Sequence, residues 1–265
     1  MGPTRQMSAP DKPVEHVDQL PPAFYARPRF ASRRAAGDWW TLLHPPYTAW
    51  HLSYVVIGAC LVGPVDARRL VATVVAFFLA VGIGAHALDE LHGRPLATSI
   101  RSSILITAAI IGIGGAAVIG VVGVTDVGLP LTIFIVIGVA LAVGYNLELF
   151  GGRLHTDHIF AASWGAFPVL TGYYAQHERL DIASVGAAVF AYFLSTAQRR
   201  LSTPARRLRR KTNDVRGTIV DSEGNVADIE RATLLAPLEG TLRALSWAAV
   251  TLAATLALAR LTPWP

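Results

Sequence analysis

The stretch AHALDELHGRPL, Ala85 to Leu96, closes a long apolar run with two histidines, two carboxylates and an arginine. His86, Asp89 and Glu90 stand at i, i+3 and i+4, which places them within one arc of a helix. A second group, YNLELFGGRLHTDH, carries Asn146, Glu148, Arg153, His155, Asp157 and His158, with His155 and His158 three apart. In HPPYTAWH, His44 and His51 are seven apart, nearly eclipsed on a helix, and STAQRR supplies Gln198. Imidazoles and carboxylates projecting inward from several helices are how helical bundles build transition-metal sites.

These residues sit in a chain dominated by oil-like sequence. It has 265 residues, 52% hydrophobic and 15% charged, with a mean hydropathy of +0.44. Soluble domains carry roughly 25% charged residues. Apolar blocks near the length that spans a bilayer as a helix recur along it. The expected fold is an all-α, polytopic transmembrane bundle of about seven spanning helices, near 46–63, 69–91, 103–124, 129–150, 155–175, 182–198 and 240–262. Residues 1–40 read as a disordered tail with an interfacial end around Trp39 and Trp40, 41–200 as helices 1–6, and 239–265 as helix 7. Between them, 201–238 reads as a basic loop, in which GTIVDSEGNVADI has two β-prone runs around a turn and predicts a hairpin. The tail is polar and proline-rich where a secretory signal would be apolar, so the first spanning helix is expected to direct insertion. The single cysteine, Cys60, excludes a disulfide framework.

Charge fixes the expected orientation. Of 23 Lys and Arg, all but Arg68, Arg69, Arg179 and Arg260 fall on the side of the N-terminus. The positive-inside rule then makes that side cytoplasmic, in the inner membrane. In a membrane chain such basic residues report topology, and no nucleic-acid partner is expected. The same topology puts six of the eight histidines on the cytoplasmic side; His16 lies in the tail and His177 at the opposite end. A histidine or carboxylate at a helix end can simply meet headgroups, where a charge costs little. Six on one side, with His51 and His86 deeper than the rest, point to a shared site.

HPPYTAWHLSYVVIGA, FLAVGIGAHALDELHGRPL and YNLELFGGRLHTDHIFAASWGAFPVLTGYY resemble the first, second and fourth-to-fifth helices of UbiA-type membrane prenyltransferases, over about residues 44–200. The resemblance implies a lipid or isoprenoid substrate and a magnesium-held prenyl diphosphate. Asp89 and Glu90 fall where that family has an Asn-Asp pair, and Arg94-Pro95-Leu96 on its following Arg-Pro. The family's next aspartates are replaced by His92-Gly93, and its second aspartate motif by STAQRRLSTPARR. The family also usually has nine helices.

Imidazole suits iron or zinc, whereas oxygen-only sites suit magnesium. The leading expectation is a membrane enzyme acting on a lipid or isoprenoid through a divalent metal, iron or zinc, that activates water or dioxygen. His86, Glu90, His155, His158, His51 and His92 are its expected ligands. Asp89 and Asp157 are its catalytic carboxylates, and Arg94, Asn146, Glu148, Arg153 and Gln198 its substrate contacts. The alternatives are a magnesium-dependent prenyltransferase and a non-enzymatic transporter or haem carrier; a structural membrane subunit is the blandest. Nothing in the sequence fixes an oligomeric state.

Overall fold

The computed structural model describes residues 34–262, so the tail expected to be disordered lies, up to residue 33, outside them. The described residues are mostly helical. A short helix α1 (Arg34–Leu43) precedes α2 (Pro45–Cys60), and a continuous helix, Ala67–Leu91, forms α3. Next come α4 (Ser102–Val127), α5 (Leu131–Asn146), α6 (157–177), α7 (Ile182–Arg210), a β1–β2 hairpin and α8 (Arg231–Leu261). The seven long helices, α2 to α8, overlap the seven segments read from the sequence, with α7 running on past residue 198 and α8 beginning before residue 240. Three of them, α3, α4 and α8, are long and apolar enough to cross a membrane, and α5 is a shorter apolar helix. Large apolar side chains face outward along α4, among them Ile110, Val118 and Val122, a surface that suits hydrocarbon and not water.

The hairpin forms where the sequence puts it: Gly217–Val220 pairs antiparallel with Val226–Ile229. Its turn is tied by Asp221, whose carboxylate accepts N–H bonds from Glu223 and Asn225 and from the Asn225 amide. Those bonds, the Asn225 amide foremost, hold the Asp221 carboxyl below the usual carboxylate range. The polar segment around it is shorter than expected, because α7 runs on to Arg210 and α8 begins at Arg231. Arg207, Arg209 and Arg210 in the last turn of α7 complement the negative end of its dipole. Helix α1 is docked as well as amphipathic. Leu42 is buried against Ala87, Ile100 and Leu105, and Asp38 accepts from Ser99 N and Oγ.

Two interruptions in the α-helical ladder shape the centre. Phe78–Ala85 in α3 and Ala162–Ala166 in α6 are wider π-type turns, a feature that recurs at functional sites. Close backbone contact holds the helices around them. Gly84 of α3 meets Gly112 of α4, where a Cβ on Gly112 would fall 2.6 Å from the Leu79 carbonyl oxygen. Gly58 of α2 and Gly172 of α6 interlock in the same way, a Cβ on either running into the carbonyl oxygen of Val169 or Val55. Trp50, Tyr54, Val169 and Leu242 fill the core beside that crossing.

Because the obstacle at Gly58 and Gly172 is backbone, it cannot turn aside. Gly58→Val and Gly172→Val are each expected to destabilise the protein by at least about 1–3 kcal/mol. Gly114→Ala, with open space around its Cβ, is expected to be silent. Thermal unfolding of the purified full-length chain in detergent checks all three.

Candidate functional site

The sequence-predicted cluster is gathered around one cavity of about 400 Å³. His44 and His51 enter from the α2 side, His86 and Asp89 from α3, Asn146 from α5 and Gln198 from α7, with His92, Glu148 and His155 from the connecting loops. Phe160 and Trp164 of α6 and Val81 and Ala85 of α3 form apolar parts of the wall.

Three imidazoles are fixed in one tautomer by the same device. His51 Nδ1 meets the Trp164 carbonyl oxygen at 2.9 Å, His86 Nδ1 the Gly82 carbonyl at 3.2 Å and His155 Nδ1 the Tyr145 carbonyl at 3.2 Å. A carbonyl only accepts, so each Nδ1 carries the proton and Nε2 is left to accept a proton or bind a ligand. The wide turns supply two of these carbonyls. The His86 N–H bonds to Ile83 O, leaving Gly82 O for the ring. In α6, the α-helical donor to Trp164 O would be residue 168, which is Pro168 and has no N–H.

Glu148 lies between two rings, 3.7 Å from His92 Nε2 and 3.8 Å from His155 Nδ1. His155 also stacks on Tyr145 with centroids 4.4 Å apart. His44 and His86 have ring centroids 5.9 Å apart. The charged neighbours of Asp89 are His155, Arg206, Glu90 and Glu148.

Several expected site residues serve the scaffold instead. Glu90 is fully buried, and both of its oxygens are engaged: Oε2 accepts from Leu96 N, and Oε1 from Thr98 N and Oγ1. One residue on a helix is a turn of about 100°, so Asp89 looks into the cavity while Glu90 ties down the loop beyond α3. Arg94 donates to Ile100 O and Ser102 Oγ at the start of α4 and is outside the cavity lining. His158 is turned out of the cavity onto the Tyr192 hydroxyl, 2.7 Å away. Asp157 pairs at the exposed rim with Arg199 Nε at 2.7 Å, and Arg153 is exposed and outside the cavity lining. Among the described residues no three His, Cys, Asp or Glu side chains close on a point that one ion could share. The six-ligand arrangement expected from spacing is therefore not brought together.

The cavity also holds residues that spacing did not single out. Arg199, Ser202, Arg206 and Arg210 line it from one face of α7, at offsets of three, four and four that mark a helical stripe. Arg199 lies 5.2 Å over the Phe160 ring, and Arg210 donates to Pro95 O at 3.0 Å. This basic run, RRLSTPARRLRRK, reads in sequence either as a topology signal or as a site for anionic headgroups or a diphosphate, and its phase is the clue to which residues face inward. Tyr145 gave none, being one aromatic in an apolar helix.

Behind Val81 and Trp164, which line both spaces, lies an apolar groove of about 160 Å³. Phe77, Phe134, Phe167 and small residues of α4 and α5 wall it, and it reaches Arg68, Arg69 and Asp126 at the far end of the bundle. No protein-family model, curated protein or solved structure matches this chain significantly; the likeness to UbiA-type enzymes rests on the segments quoted above.

The division between Asp89 and Glu90 is measurable. Glu90→Ala strands two backbone N–H groups and a hydroxyl, and is expected to cost about 3 kcal/mol. Asp89→Ala is expected to leave the melting temperature within error, as read by thermal denaturation in detergent.

Proposed function

We propose that this protein is an integral membrane enzyme acting on a lipid or isoprenoid whose polar head enters the cavity from the cytoplasmic side. The observation that carries the reading is the pairing of a cavity lined by imidazoles, carboxylates and guanidiniums with an apolar groove on the other side of Val81 and Trp164. In this reading all seven long helices span the inner membrane with the N-terminus cytoplasmic, and the hairpin lies on the cytoplasmic side.

The residues divide by chemistry. Asp89 and His155, with its Nε2 left to accept, exchange a proton with the reacting group. Asn146 and Gln198 orient the head, and the guanidiniums of α7 offset its negative charge. Asp157 acts through Arg199, which it holds at the rim. A metal-assisted version, with iron or zinc on His86, His155 and Glu148, requires those side chains to close on a common point. The donor set as arranged does not fit an ion, so no step is routed through one.

The arginine stripe favours one second reading, prenyl transfer from a diphosphate, as the family resemblance implies. Guanidiniums match phosphate oxygens in bidentate geometry. Magnesium would then rest on Asp89 and Glu148, because Glu90 is committed to Leu96 and Thr98.

Turnover tests the enzyme reading. The full-length protein in nanodiscs is incubated with polar lipid extract and with farnesyl diphosphate, and products are followed by mass spectrometry. Asp89→Asn and His155→Ala are expected to lower conversion roughly 100-fold or more while the protein stays folded. Conversion of neither substrate class removes the proposal. Metal analysis of the same preparation is expected to give less than one ion per chain; stoichiometric iron or zinc, lost in His155→Ala, would restore the metal-centred version.

Topology is tested separately. Cys60 is the only cysteine and is buried, so Cys60→Ser gives a clean background. Ser222→Cys in the hairpin turn is expected to react with an impermeant maleimide only in inverted vesicles, and Arg179→Cys only in intact cells. The reverse pattern overturns the orientation.

A further inference from the structure

Two polar atoms on the cavity wall have no hydrogen-bond partner among the described residues: Gln198 Oε1 and the Tyr145 hydroxyl. Gln198 is 2% exposed and Tyr145 5%, and both line the cavity. Buried side-chain polar atoms are normally paired; Ser163 Oγ, on the apolar groove, is another exception, whereas other neighbours obey the rule. The Tyr54 hydroxyl accepts from Trp50 Nε1 at 2.7 Å and from Ser195 Oγ at 3.2 Å. Asn146 Nδ2 donates to Ala142 O at 2.7 Å. Gln198 and Tyr145 both belong to the wall of the polar cavity, where a ligand can supply the missing bonds.

Their chemistry restricts that ligand. An amide oxygen only accepts, so the group facing Gln198 must donate; a phenol donates or accepts. A hydroxyl satisfies both atoms, since it donates once and accepts as well. A carbonyl or an ether can accept from the Gln198 Nε2 but brings no proton for its orphaned Oε1. An ammonium group would donate, but Arg199, Arg206 and Arg210 all lie on the helix of Gln198, while the carboxylates of Asp89 and Glu148 come from other elements, so a cation beside Gln198 is disfavoured. The same guanidiniums favour an anionic oxygen group beside the hydroxyl.

We infer that the head bound in this cavity carries a free hydroxyl next to an anionic group, the hydroxyl held by Gln198 and Tyr145 and the anion by the arginines of α7. This rests on the proposed function and narrows its substrate class to hydroxylated, anionic amphiphiles. Gln198 and Tyr145 are then specificity residues. A site built to hydrogen-bond a hydroxyl discriminates strongly against an analogue that lacks it, because its own polar atoms stay unpaired.

Binding of three amphiphiles to the full-length protein in nanodiscs tests this: 1-oleoylglycerol 3-phosphate, the same molecule without its 2-hydroxyl, and 1-oleoylglycerol. The hydroxylated phosphate is expected to bind roughly tenfold or more tighter than its deoxy analogue, one paired polar group being worth about that factor. Gln198→Leu and Tyr145→Phe are each expected to shrink this ratio toward one. Arg199→Gln should weaken both phosphates alike, leave the ratio unchanged, and bring them closer to 1-oleoylglycerol. Without ligand, Gln198→Leu and Tyr145→Phe should melt at or above the wild-type temperature, because each removes an orphaned atom. A lower melting temperature would reveal a structural partner and overturn the assignment. Equal binding of the hydroxylated and deoxy phosphates overturns the hydroxyl while the proposed function stands. No binding of any of the three overturns this inference, while the proposed function stands or falls on the turnover test.

Discussion

A carbonyl oxygen in the middle of a packed apolar bundle must find a donor, and in this protein two of them find imidazoles. Water does not reach such positions, and an unpaired backbone group there is costly. Pro168 removes the donor that Trp164 O would have in an unbroken helix, and the wide turn of α3 takes the His86 N–H to Ile83 O. His51 and His86 fill the two gaps with Nδ1–H. The bond serves both parties: the carbonyl gains a donor, and the ring is held with its proton on Nδ1. Helix irregularity and site chemistry are thus one interaction seen from its two ends.

The loop beyond α3 depends on a second buried acceptor. Glu90 draws the N–H groups of Leu96 and Thr98 onto one carboxylate, and Arg94 bonds onward to Ile100 O and Ser102. Positive φ at Gly93, Arg94 and Ala97 lets the chain double back so tightly. His92, Pro95 and Leu96 are thereby held over the cavity, and α1 is fastened to the same loop through Asp38 and Ser99. Removing Glu90 would release a wall of the site without touching its chemistry.

Much of this was legible before any coordinates. Blocks of apolar residues set the seven long helices, and one-sided placement of polar residues drew His44, His51, His86, Asp89, His92, Asn146, Glu148, His155 and Gln198 to one cavity. What sequence could not resolve was direction at single positions. Asp89 and Glu90 are equally acidic, and only the path of the following loop decides which is consumed by backbone N–H groups. His155 and His158 share a spacing that suits a ligand pair only within a helix. Helix α6 begins at Asp157, which leaves His155 in the loop and sends the two rings apart. The arginines of α7 carry an ambiguity of charge: in sequence they read as a topology marker or as a site for an anionic head, and helical phase is what puts Arg199, Arg206 and Arg210 on the cavity.

The wall formed by Val81 and Trp164 bears on where chemistry can occur. Each residue belongs to a wide turn, Val81 in α3 and Trp164 in α6, so the boundary between polar cavity and apolar groove is built from the two least regular pieces of helix in the bundle. Trp164 also carries the carbonyl that fixes His51, and its ring meets that of Tyr145 edge-on at 5.9 Å. A shift of this wall that joined the two spaces would move the His51 anchor with it, and a rigid wall would keep head and tail compartments apart. Under the proposed function, a substrate with a polar head and an apolar chain must reconcile them, and its reacting bond would then lie beside Val81 and Trp164, which line both spaces.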